Sequence, residues 1–166
     1  MKDFVYSPQV NFNSYKFMYQ KAFFIGTKNK LYICPSEKEA IPNNGGRPGS
    51  IFNLIDGKKA EIYLLELVSN PTTDADKIHE VFTELIQRNN ADGENNVAYI
   101  DLTELKRLRI DNNWMGAGII AGYSTNLLGD KNAITGFGKK YKKDIVEFYK
   151  QYYPLNKLLK AEENFQ

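Results

Sequence analysis

NVAYIDLTELKRLRIDNNWMGAGIIAGYS, residues 96–124, is the densest apolar stretch of the chain and contains its one tryptophan, Trp114. Val97 to Leu102 is rich in branched and aromatic residues, which suit a pleated, buried surface. Leu108 and Ile110 alternate with Arg107 and Arg109, the period of a strand with one wet face. Asp111, Asn112 and Asn113 form a polar break before a second apolar run, Trp114 to Tyr123. The reading is a strand, a short turn around Thr103 to Leu105, a strand, a turn and a strand. It places this region in the middle of a sheet.

On the N-terminal side, Pro71 to Asn89 reads as a helix. Thr73 or Asp74 caps it, and Ile78, Val81, Phe82, Leu85 and Ile86 make one apolar face. NNADGENN, residues 89–96, closes it as a polar loop without the alternating acids of a calcium loop. Ile51 to Val68 is left open between helix and hairpin: Ile51, Leu54 and Ile55 have helical spacing, yet Asp56-Gly57 is a hairpin signal. Ser36 to Ser50 is a long loop punctuated by Asn43-Asn44-Gly45-Gly46-Arg47-Pro48-Gly49-Ser50. Lys21 to Cys34 reads as a hairpin turning through Gly26 to Lys30, with Pro35 ending its second strand. Residues 1–20 contain six large rings without a clear period. They are expected to pack on the domain as an aromatic arm, irregular and then helical, or to dock on another subunit.

On the C-terminal side, Ser124 to Lys131 is a turn region and Ala133 to Phe137 a short strand. Lys139 to Tyr153 is a second amphipathic helix, with Tyr141, Ile145, Phe148, Tyr149 and Tyr152 on one face and Pro154 as its stop. Residues 155–166 form a tail. The strand-turn-strand rhythm with a closing helix resembles pleckstrin-homology-like barrels in outline, a likeness of architecture that brings no functional motif with it.

A chain of 166 residues is the size of one domain and can bury about 70% of its extended surface. With one cysteine, Cys34, no intrachain disulfide framework is available, and a reducing, cytoplasmic location fits. MKDFVYSPQV has no secretory h-region, and the most apolar window is too short and too polar for a membrane helix, so a soluble protein is expected. The net charge of +2 is segregated: residues 1–60 carry +5, residues 61–104 carry −8 and residues 105–160 carry +7. Acidic and basic elements facing each other, or solvated faces, explain this better than a polyanion partner, and nucleic acid is disfavoured.

Several chemistries are excluded by inventory. One histidine and one cysteine cannot build a zinc or copper site of the usual kind, and no GxSxG, HExxH or Walker A pattern occurs. No metal or cofactor is therefore expected. His79 reads as a surface histidine beside a carboxylate; as a general base it lacks a nucleophile and an orienting group nearby in sequence. Two stretches are anion-site candidates. Asn44, Gly45, Gly46, Arg47, Gly49 and Ser50 can present backbone N–H groups and a guanidinium. Lys139, Lys140, Lys142 and Lys143 crowd a helix start, where cations are unfavourable against the helix dipole. Gly116, Gly118 and Gly122 either permit close backbone packing or line a pocket.

The expectation is a single α+β domain, a mostly antiparallel sheet with two or more amphipathic helices packed on it. Its expected function is a non-catalytic intracellular binding or protein-interaction module, self-association included. The alternative is an enzyme or small-ligand protein handling a phosphorylated or carboxylated molecule. In that case Arg47, Gly46, Gly49, Ser50, Lys139, Lys140 and Lys143 hold the anion, and Asp101 or Glu104 serves as acid or base. A second alternative is binding to nucleic acid or an anionic membrane through the lysine-rich helix start.

Overall fold

The computed structural model describes residues 2–13, 20–36, 60–91, 97–113, 116–122 and 131–153. The glycine-rich loop, residues 51–59, Trp114, the turn after Ser124 and the C-terminal tail lie outside the described residues. Seven strands form one antiparallel sheet: β1 (Phe4–Asn13), β2 (Gln20–Thr27), β3 (Lys30–Pro35), β4 (Ala98–Asp101), β5 (Arg107–Asn113), β6 (Gly116–Gly122) and β7 (Lys131–Thr135). Among the described residues three α-helices accompany it: α1 (Ala60–Ser69), α2 (Ala75–Ala91) and α3 (Lys139–Lys150). The chain is a single α+β domain, as the sequence led us to expect.

The strand order is β4-β3-β2-β1-β7-β6-β5, so β1 is central and the sheet edges are β4 and β5. This corrects the expectation that residues 96–124 form the middle of the sheet. A flat sheet would separate β4 from β5 by about 29 Å at the usual strand spacing. The link between them, residues 102–106, spans at most about 20 Å and contains a 3-10 turn at Leu102–Glu104. The sheet must therefore curl until its two edges approach. An edge strand on a curled sheet buries its inner face as fully as a central one: Ile100 is 4% exposed, Leu108 2% and Ile110 3%. Apolar density reported burial, not position. α3 follows the last described strand, and the α1–α2 pair is inserted between β3 and β4.

Two apolar clusters lie on opposite faces of the sheet. Inside the curl, Val10, Phe12, Phe24, Ile33, Ile119 and Ile134 meet Ile145, Phe148 and Tyr149 of α3. Outside it, Phe23, Ile25, Tyr32 and Cys34 meet Leu64 and Val68 of α1 and Ile78, Val81 and Phe82 of α2. β2 and β3 are covered on both faces, which is why they read as continuous apolar runs rather than alternating ones. The hairpin is as expected, but its turn is tighter: Gly26 and Thr27 belong to β2, and only Lys28 and Asn29 separate the strands. The Tyr149 hydroxyl donates to Thr27 O at 2.9 Å and the Tyr153 hydroxyl to Lys28 O at 2.9 Å, so α3 is pinned to this turn.

Residues 4–13 form a strand rather than an irregular arm. The period was hidden by a bulge: Ser7 pairs with Phe24 and Val10 with Ala22, one extra residue on β1. Val5 faces the inner cluster from an odd position, whereas Val10 and Phe12 face it from even ones. An inserted residue flips the parity of every later side chain. Gln9 sits at the bulge with φ +58°.

Of the open segment 51–68, residues 60–68 are helical, with Ala60, Leu64 and Val68 as the buried stripe. Lys2 Nζ donates to Val68 O and to Asn70 O at the C-terminal end of α1, while Asp3 accepts from Ala75 N (3.1 Å) at the start of α2. Two adjacent, oppositely charged residues thus answer the two opposite dipole ends of the α1–α2 corner. Asp74 caps α2 by accepting from Lys77 N at 2.8 Å. No described helix is long and apolar enough to cross a membrane.

Candidate functional site

A groove of about 400 Å³ lies between the start of β1 and the outer stripe of α3. Phe4, Val5 and Tyr6 line one side, and Lys140, Tyr141, Asp144, Glu147 and Phe148 the other, with Lys2 at one end. The helical part follows from spacing: Lys140, Asp144 and Glu147 stand at i, i+4 and i+7, one stripe beside the buried Ile145, Phe148 and Tyr149. The strand part follows from β1 being central, which brings Tyr6 beside Tyr141. Their ring centroids are 5.2 Å apart and tilted by 51°. Ser7, fully buried, accepts from Gly138 N at 3.3 Å and fixes the start of α3 against β1. Burial raises the Tyr6 phenol above its ordinary pKa, with Tyr141 and then Asp144 adding to the effect. The ring therefore stays neutral at physiological pH.

The lysines singled out from sequence are divided by the helix. Lys140 lines the groove; Lys139 and Lys143 are exposed and do not. Among the described residues none of Lys139, Lys140, Lys142 and Lys143 makes an ion pair, with the acidic segment 61–104 or with any other. Arg47, Gly46, Gly49 and Ser50 lie outside the described residues, as does any cavity they share with Gly116–Gly122. Within β6, Gly118 and Gly122 serve close packing. A Cβ at Gly118 would stand 3.1 Å from Thr135, and one at Gly122 2.7 Å from the Arg107 guanidinium.

A second cluster lies at the β3–β4 edge under α2. The Tyr32 hydroxyl and His79 Nδ1 are 3.1 Å apart, and the His79 ring stands edge-on to Tyr99 at 5.6 Å. The histidine partner is thus a phenol rather than a carboxylate. Burial, then Tyr99, Asp101 and Asp76, raise the Tyr32 phenol, which keeps its proton and cannot act as a base near neutrality. Asp101 accepts from Thr103 N (3.0 Å) and Thr103 Oγ1 (2.6 Å), the work of a cap on the 3-10 turn. Cys34 is buried in the outer cluster. Among the described residues no three His, Cys, Asp or Glu side chains are grouped to hold a metal ion.

Sequence reasoning missed Lys2, Phe4, Val5, Tyr6, Asp144 and Glu147 as members of one site. The only signal was the ring density of residues 1–20; no local pattern joins positions separated by more than 130 residues. Comparison with known protein families, curated proteins and solved structures finds no match to this chain.

Proposed function

We propose that the chain is a non-catalytic binding module whose ligand site is the groove between β1 and α3. The observation that carries this reading is the groove itself. Its volume of about 400 Å³ falls within the range of small-ligand sites, and aromatic and aliphatic side chains with a few convergent charges line it. Two groups that could serve as reaction centres are otherwise engaged: Asp101 in a cap and His79 with Tyr32. Thermal unfolding in the presence of amphipathic small molecules tests the reading. A ligand present at 100 times its Kd adds about 2.7 kcal/mol to stability. Stabilisation is expected for the native chain and lost in Asp144→Trp, which fills the groove from an exposed position. No stabilisation at millimolar concentration, or stabilisation that survives Asp144→Trp, overturns it.

A second reading is favoured by Lys139, Lys140, Lys142 and Lys143, which make no ion pair among the described residues. Such a surface suits an anionic partner: a phosphorylated or carboxylated molecule at Lys140, or a polyanion along the helix start. Nucleotides and sugar phosphates in the same thermal assay, and the salt dependence of any polyanion binding, test it.

A further inference from the structure

We propose that the β1/α3 groove takes an organic cation, an ammonium group carried on an apolar body. The inference rests on the groove being the binding site and concerns the charge of its occupant. Of the charged groups at the rim, three are already engaged. Lys2 is bound to the carbonyl end of α1 through Val68 O and Asn70 O. Glu147 is paired with Lys150 at 3.3 Å. The Lys140 ammonium lies 5.5 Å from the centroid of the Tyr141 ring. Among the described residues, Asp144 is the one of these four groups with neither a hydrogen-bond, an ion-pair nor a ring partner.

The position of Lys140 is informative. It stands one helical turn before Asp144, the spacing at which helical ion pairs close. Its ammonium nevertheless rests on the Tyr141 ring. Lys2 does the same over Phe4, 4.9 Å from the ring centroid. Two of the rings lining the groove thus hold ammonium groups of the protein itself, the interaction expected of an electron-rich ring face. Tyr6 and Tyr141, tilted towards each other, form a corner with the Asp144 carboxylate at its edge. A ligand cation enters this corner by displacing Lys140 and pairing with Asp144, while its hydrocarbon lies against Phe4, Val5 and Phe148. An anion held by Lys140 would instead face the carboxylates of Asp144 and Glu147, one and two turns along the same stripe.

The two occupants predict opposite effects of one substitution. Lys140→Ala removes a competitor of a cation but the anchor of an anion. The experiment is an NMR titration of the full chain with three probes of similar shape: 2-phenylethylammonium, 2-phenylethanol and 3-phenylpropionate. The ammonium is expected to bind tightest and to shift the amides of Val5, Tyr6 and Asp144. Asp144→Asn is expected to weaken it about tenfold, and Lys140→Ala to tighten it by a factor of about three. Tightest binding by the carboxylate, or weaker ammonium binding in Lys140→Ala, overturns the cation and leaves the groove as the site. Equal binding of all three probes, indifferent to both substitutions, also overturns the cation alone. No shift at groove residues with any probe overturns both the cation and the groove.

Discussion

Gly26 shows how a single residue is set by a partner far along the chain. A Cβ there would lie 2.2 Å from the Tyr149 hydroxyl and 2.7 Å from the Phe24 ring. Gly26→Ala is therefore expected to lose about 1–3 kcal/mol through overpacking, read from urea unfolding. Tyr149→Phe removes the donor to Thr27 O and is expected to lose about 1–3 kcal/mol. The pair combined should lose less than the two separately, because the hydroxyl is the nearest obstacle to the new methyl. Strict additivity would show that the clash is relieved elsewhere. At this scale the sequence located Lys140 of the candidate site but neither Lys2 nor Asp144. A lone acid after four lysines looks like charge balance until Tyr6 is placed beside it.

At the scale of elements, β1 turns on Gln9. A non-glycine residue at φ +58° is strained, and a β-branched one more so. Gln9→Val is expected to destabilise by about 1–2 kcal/mol, while Gln9→Gly should be neutral or stabilising by up to about 1 kcal/mol. Chemical unfolding of both variants checks this, and equal losses would place the constraint in the Gln9–Glu61 contact instead. The α1–α2 corner gives a second case. Asp74→Ala should cost about 1 kcal/mol as a lost cap. Asp3→Ala, whose carboxylate comes from another element, should cost a similar amount and also raise amide exchange at the start of β1. The cap on α2 was legible because it is local. The contribution of Asp3 was not, because its helix begins some seventy residues later.

At the scale of the molecule, several tyrosines are closed inside the curl or under α2. Burial first, and then Glu84, Glu80 and Glu66, push Tyr63 up to about 12; burial is also the main cause raising Tyr32, Tyr149 and Tyr153. The unfolded chain binds fewer protons than the folded one once pH exceeds about 10, the ordinary tyrosine value. The stability from these groups is thus full below pH 10 and is lost as pH rises through the folded values. Cooperative alkaline unfolding is expected, with phenolate absorbance rising together with loss of circular dichroism between pH 10 and 12. Complete ionisation of the tyrosines in a chain that keeps its secondary structure would contradict the burial of these side chains.

The sequence by itself determined the class of fold, the β2–β3 hairpin, the helices α2 and α3 and the narrow inventory of reactive side chains. Each is written in short-range periodicity, in capping and turn residues, or in composition. Tertiary structure decided that β1 is central and that the apolar run 96–124 supplies both sheet edges. It also decided that residues 60–68 are helical and that Tyr6 meets Tyr141 and Asp144. These depend on which strand pairs with which, and on the curl that a five-residue link imposes. Neither leaves a local mark, because an inner face is equally apolar wherever its strand lies in the sheet.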